Sequence, residues 1–131
     1  MAGEWAKGAA TVLLVEDYDD TRKLMRLILE MKGCRVVEAA DGRAAVEAAA
    51  EHCSDLDLVL MDLNLPVLSG YEATRLILAQ DSTCRVPVVA FSAQCCGERG
   101  QRALDAGCRE CLPKPVDFAA LDEMLGRYCS I

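Results

Sequence analysis

Apolar runs of strand length alternate along this chain with stretches of helical spacing, and the alternation repeats five times. Thr11–Val15, Leu58–Met61 and Val86–Phe91 are continuous rather than alternating, the pattern of strands covered on both faces. Arg35–Glu38 and Arg109–Leu112 are shorter runs of the same kind. After Asp17 the spacing turns helical, with Leu24, Leu27, Ile28 and Met31 set on one face as the predicted core side, and Gly33 stops the helix. Asp41 and Gly42 turn the chain into an alanine-rich helix through Glu51. Pro66, Ser69 and Gly70 form a loop before a helix over Tyr71–Gln80 that carries Ala73 and Ile77. A less apolar helix covers Glu98–Ala106 and ends at Gly107, and Asp117 caps a last helix whose predicted core face is Phe118, Leu121, Leu125 and Tyr128.

Strands alternating with helices of this length require right-handed crossovers, so the fold class is α/β with an open, doubly wound parallel sheet of five strands and five helices. At 131 residues and 53% hydrophobic content, the chain fits one domain with an ample core. Residues 1–9 read as a flexible leader, with Trp5 its one large apolar group, and 10–131 as the domain.

Composition then narrows the function. A net charge of −7 without clustered Lys and Arg argues against direct nucleic-acid binding. No apolar stretch approaches the roughly 20 residues a bilayer needs. Eight cysteines without a secretory leader are read as free thiols in a reducing cytoplasm. Cys108 and Cys111 have CxxC spacing and Cys95 and Cys96 are adjacent, but no second pair completes a zinc site. Cys34, Cys53, Cys84 and Cys129 are fillers or incidental surface thiols, and His52 is a surface residue near a helix end.

The chemistry lies where the apolar runs stop. Glu16 and Asp17, Asp62, Ser92 and Lys114 each follow a strand, and ligands in such sheets bind beyond the carboxyl ends of the strands. Taken singly each is ordinary: an acidic pair can be a solvated turn, a serine a helix cap, a lysine a solvated cation. Together they describe one site. Three carboxylates at close quarters repel one another unless a cation compensates, and all-oxygen ligation suits Mg²⁺, with the backbone carbonyl of Asn64 as a further donor. Lys114 and the Ser92 hydroxyl suit phosphoryl oxygens, and Asp62, between metal and Lys114, is the expected nucleophile. A glycine-rich dinucleotide loop is missing after the first strand.

These residues, with Val15, the run Met61–Pro66 followed by Ser69 and Gly70, Phe91–Ala93 and Leu112–Pro115, resemble the receiver (CheY-like) domains of bacterial two-component response regulators. The resemblance implies a flavodoxin-like sheet of order 2-1-3-4-5. It implies Mg²⁺ on Glu16, Asp17, Asp62 and the Asn64 carbonyl, with Asp62 the phosphoacceptor. It makes Ser92 the hydroxyl that moves toward the phosphoryl group and Lys114 its cationic partner, joined to Pro115 by a cis peptide. It further implies phosphotransfer from a sensor histidine kinase or histidine phosphotransfer protein, a downstream protein target, and no enzymatic turnover beyond the domain's own phosphorylation and dephosphorylation. Gln94 and Asn64 are expected to shape water access and so the dephosphorylation rate. The chain departs from the family at Cys111, where many receivers carry the Tyr or Phe of an aromatic switch. Other readings are a phosphorelay carrier, a non-catalytic receiver-fold interaction module, and a haloacid dehalogenase-type hydrolase. The last expects its nucleophile on the first strand and a second Asp at the place of Asn64.

Overall fold

A computed structural model describes residues 9–93 and 95–129. The expected leader and Gln94 therefore lie outside the described residues, apart from residue 9. The elements are β1 (Thr11–Val15), α1 (Asp19–Met31), β2 (Arg35–Ala39), α2 (Gly42–Glu51), β3 (Leu56–Asp62), α3 (Gly70–Ala79), β4 (Val88–Ser92), α4 (Gly97–Ala106), β5 (Glu110–Pro113) and α5 (Phe118–Cys129). All neighbouring strands pair in parallel, in the order β2-β1-β3-β4-β5. The order expected from the family resemblance is the order found. No described helix is long and apolar enough to cross a membrane.

Strand periodicity divides the core in two. Leu13, Val15, Val59, Met61, Val88 and Ala90 face α2, α3 and α4, where they meet Ala45, Ala49, Ala73, Ile77 and Ala103. Val12, Leu14, Leu58, Leu60, Val89 and Phe91 face α1 and α5, where they meet Met25, Leu29, Leu121, Met124 and Leu125. Both faces of the central strands are thus sealed, which is why they read as unbroken apolar runs. Burying each such Val, Leu or Phe contributes about 1.5–3 kcal/mol. The alanines of α2 have a separate use, because small side chains let that helix lie close to the sheet.

Two helix faces differ from the sequence reading. In α1 the buried residues are Met25 and Leu29, while Leu24, Leu27 and Met31 are 57%, 55% and 79% exposed. The helix is apolar around much of its circumference, so periodicity alone could not choose the inward side; the start at Asp19 and the crossing over β1 do. In α5, Leu121, Met124 and Leu125 are buried but Phe118, at the first turn, is 62% exposed. The cysteine reading is also corrected. Cys95 and Cys111 form a disulfide, whereas Cys34, Cys53, Cys84, Cys96, Cys108 and Cys129 are free. Spacing along the chain hid this pair, because Cys95 lies in the connection from β4 to α4 and meets Cys111 of β5 only through the way α4 lies on the sheet.

The loop from β3 to α3 is tightly constrained. Pro66 and Leu68 are joined across Val67 by a hydrogen bond from the Leu68 N–H to the Pro66 carbonyl (2.7 Å), a γ-turn with Val67 at φ 69°. Ser69 caps α3 through a hydrogen bond from the Glu72 N–H. A β-carbon on Gly70 would sit 2.2 Å from the Asp62 carbonyl oxygen, and one on Gly42 would sit 2.1 Å from that of Leu68. Helix α3 therefore presses backbone to backbone against the strand end that carries Asp62, and α2 against Leu68 of the loop that follows it. Gly70→Ala should destabilise the fold by about 2–3 kcal/mol through this clash, measured by urea unfolding; an unchanged midpoint would mean that the close approach is not needed.

Candidate functional site

The carboxyl ends of β1, β3, β4 and β5 open into one cleft of about 420 Å³, lined by Glu16, Asp17, Asp62, Asn64, Ser92 and Lys114 among others. The six residues expected to bind metal or phosphoryl oxygens are all there, and Gln94 lies outside the described residues. Register explains the convergence. Val15 stands beside Met61, Asp62 beside Phe91, and Ser92 beside Pro113, so Asp62 and Ser92 are the last residues of β3 and β4, while Glu16 and Lys114 follow the last residues of β1 and β5.

Lys114 organises the charges. Its Nζ donates to Glu16 Oε1 at 2.8 Å and to Asp62 Oδ2 at 3.2 Å, and it lies 4.8 Å from the centroid of the Phe91 ring. Its main-chain N–H bonds the Ser92 carbonyl at 2.8 Å, which fixes β5 against β4 at the cleft floor. The peptide bond from Lys114 to Pro115 is cis, as the family resemblance implies. Glu16 and Asp62 are buried, 1% and 3% exposed, and buried carboxylates require this pairing. Desolvation works against the ammonium, but the two carboxylates outweigh it and raise the Lys114 pKa.

The other oxygens are also held. Asp62 Oδ1 accepts the Asn64 N–H at 3.0 Å, and Glu16 Oε2 accepts the Tyr18 N–H at 3.1 Å. Arg22 donates to the Glu16 carbonyl at 2.9 Å and to Glu38 at 3.1 Å, tying the acidic turn to α1 and β2. Asp17 is exposed at the cleft wall. Loss of water around its carboxyl, followed by the hydrogen bond and charge of Glu16, pushes its pKa up from 3.8.

Glu16, Asp17 and Asp62 each offer a carboxylate oxygen within 4.8 Å of the others. Three carboxylates at this spacing outnumber the cationic side chains on the cleft wall, Lys114 and Arg99, so a further cation is favoured, and the hard oxygen donors favour Mg²⁺ over zinc. The residues present thus fit the metal. Thr21 and Arg99 also line the cleft and were not anticipated. Arg99 comes from α4, whose distance from the strand ends is set by packing; Tyr71 of α3 reaches across to its carbonyl at 3.4 Å. No motif in the sequence marks it.

Comparison with known proteins agrees with this geometry. The family model described as response regulator receiver domain matches residues 12–126. The polar-differentiation response regulator DivK of Brucella anthropi is 31% identical over 118 residues, covering 90% of this chain and 94% of that protein. The crystal structure of the receiver domain of sensor histidine kinase PA1611 from Pseudomonas aeruginosa, with a magnesium ion coordinated in its active-site cleft, superposes with TM-score 0.86 at 37% identity, covering 94% of this chain and 99% of that one. The co-crystal structure of the Saccharomyces cerevisiae histidine phosphotransfer protein Ypd1 with the receiver domain of Ssk1 matches with TM-score 0.80 at 30% identity, covering 94% of this chain and 90% of that one.

An acid whose pKa is raised by folding opposes folding when ionised. The opposition is full above the raised pKa and fades as pH falls toward 3.8. Without divalent cation, Asp17→Asn should therefore stabilise the fold at pH 7, by only about 0.5 kcal/mol because Asp17 is exposed and screened, and the gain should vanish near pH 3.8. Added Mg²⁺ should reverse the order, since the variant lacks a ligand. Thermal unfolding with and without Mg²⁺ checks this; equal Mg²⁺ stabilisation of both proteins would contradict the assignment of Asp17.

Proposed function

The chain belongs to the response regulator receiver domain family of two-component signalling, and on that premise we propose that Asp62 accepts a phosphoryl group from a phosphohistidine. The observation that carries this reading is the buried Asp62 carboxylate, hydrogen-bonded to Lys114 on one side and grouped with Glu16 and Asp17 on the other. The receiver unit is taken as 10–131, with the preceding residues as a leader.

The nucleophile is a carboxylate already desolvated and aimed by the Asn64 N–H. An Asp62 oxygen attacks phosphorus, the bond from phosphorus to the imidazole nitrogen breaks, and the neutral imidazole departs. Lys114 supplies a positive charge against the equatorial phosphoryl oxygens, and the Ser92 hydroxyl donates to another of them. Mg²⁺, held by Glu16, Asp17, Asp62 and the Asn64 carbonyl, supplies further charge neutralisation when bound. As the phosphoryl group takes up the contacts of Lys114 and Ser92, it shifts the balance between two arrangements of the β4 and β5 ends, and a downstream protein reads the outcome. The only chemistry the domain catalyses is its own phosphorylation and dephosphorylation. It works in the cytoplasm.

The donor docks beside the cleft. An apolar groove of about 550 Å³ shares Thr21 and Lys114 with it and is walled by Leu24, Ile28, Val116 and Phe118. The exposure of Leu24 and Phe118, unexplained by the core, suits a surface that receives the apolar face of a helix.

Asp62→Asn should abolish the phosphoryl mass gain that acetyl phosphate and Mg²⁺ give the wild type, and Lys114→Ala should slow it roughly 100-fold. Uptake retained by Asp62→Asn would refute the assignment. Leu24→Asp should slow transfer from a phosphohistidine protein at least about tenfold, the scale of a lost apolar contact, yet leave the acetyl phosphate rate unchanged; equal loss with both donors would place the damage in the cleft instead.

A further inference from the structure

Cys95 and Cys111 are 16 residues apart in sequence and joined by a disulfide, with Cα atoms 5.6 Å apart. Both positions are tied to the cleft. Cys95 follows Ser92 by three residues and Cys111 precedes Lys114 by three. The Ser92 carbonyl and Lys114 N–H are already bonded, so the disulfide is a second, covalent link between the same two strand ends. The loop it closes contains the whole of α4. Gly100 in α4 approaches Cys95 so closely that a β-carbon would sit 2.0 Å from the Cys95 carbonyl oxygen. The helix thus rests on the Cys95 backbone, and its Arg99 lines the cleft. A restraint on Cys95 is a restraint on α4.

The geometry points to Cys95 and Cys111 as a redox modification site, a dithiol–disulfide couple that reacts with low-molecular-weight disulfides and thiols. When oxidised, it clamps the start of α4 to β5 and holds back the response of that face to phosphorylation. The response half rests on the function proposed above; the clamp does not. Both cysteines are partly exposed and line a second cleft of about 410 Å³ beside α4 and β5, so a small thiol can reach them. Disulfides in cytosolic proteins are mostly transient and redox-sensing rather than structural.

The exchange balances. The Cys95 thiolate attacks one sulfur of a small disulfide such as oxidised glutathione, and one small thiolate leaves. The Cys111 thiolate then attacks Cys95 Sγ, forming the internal bond and expelling the second small thiolate. The protein thiols lose two electrons, the small disulfide gains them, and the two protons pass to the released thiolates. Cys34 and Cys108 compete little. Both are buried, and desolvation pushes their thiols up, Cys34 to about 11.

The test equilibrates the full chain in glutathione buffers from reducing to oxidising, then maps disulfides by peptide mass spectrometry and follows amide hydrogen exchange. The expected result is a bridge between positions 95 and 111 that forms and opens reversibly, with exchange across α4 at least about tenfold slower in the oxidised chain. After acetyl phosphate and Mg²⁺, the oxidised chain should take up the phosphoryl group but show at most about a third of the change in α4 exchange seen in the reduced chain. Cys95→Ser and Cys111→Ser should each behave as the reduced chain in every buffer. A bridge that never forms, a bridge to Cys96 instead, or α4 exchange equal in both states would overturn the proposal. Phosphoryl uptake by neither form would sink the Asp62 reading and the response half with it, while the clamp is judged on the exchange comparison alone.

Discussion

A single ammonium group, Lys114 Nζ between Glu16 and Asp62, is the interaction on which the arrangement of this molecule turns. Two buried carboxylates with a third beside them would repel one another and resist burial without it. The compensating charge cannot come from nearby in the chain: Lys114 stands 98 residues from Glu16 and 52 from Asp62. Only a sheet that places β5 beside β4, and β4 beside β3, brings it there. Even with Arg99 on its wall, the cleft holds more carboxylates than cations. That residual charge is what a divalent cation answers, and it makes the site a place where phosphoryl oxygens meet positive charge.

The rest of the fold serves that geometry by close packing. The central strands are sealed on both faces, so their ends are rigid platforms; Gly70 lets α3 lie directly against the backbone at Asp62, and Gly42 lets α2 lie against Leu68 of the loop between them. The site is therefore held mainly by main-chain contacts and by apolar burial. Flexibility in function has to come from the side where packing is sparser, the polar α4 and the four-residue β5, whose half-buried Glu110 pairs with Arg127.

What could be read from the sequence followed from burial on two faces. Thr11–Val15 is an unbroken apolar run because it lies between two neighbours and two helix layers, and its bounds coincide with those of β1. Other strand bounds moved by one or two residues, at the centre of the sheet as at its edge: β3, expected over Leu58–Met61, is found over Leu56–Asp62, and β5, expected over Arg109–Leu112, over Glu110–Pro113. The cluster of Glu16, Asp17, Asp62, Ser92 and Lys114 was legible because strand ends are marked by abrupt polarity changes, and the rule that ligands bind there needs no contact map. The inward face of α1 was not legible, since an apolar residue facing a partner and one facing the core look alike in sequence. Arg99 and the Cys95–Cys111 pair were hidden for a different reason: their neighbours are set by how α4 lies on the sheet, which spacing along the chain does not encode. The departure at Cys111 was visible as an oddity, and only the fold supplied its partner.

The most direct test of the account is the identity of the atom that receives phosphorus. Borohydride reduces an aspartyl phosphate to homoserine, so the chain can be treated with acetyl phosphate and Mg²⁺, reduced, digested and sequenced by mass spectrometry. The account predicts homoserine at position 62 and at no other, with the yield falling away when Mg²⁺ is chelated. Homoserine at a different aspartate, or phosphate found on Ser92 with Asp62 unmodified, would contradict it.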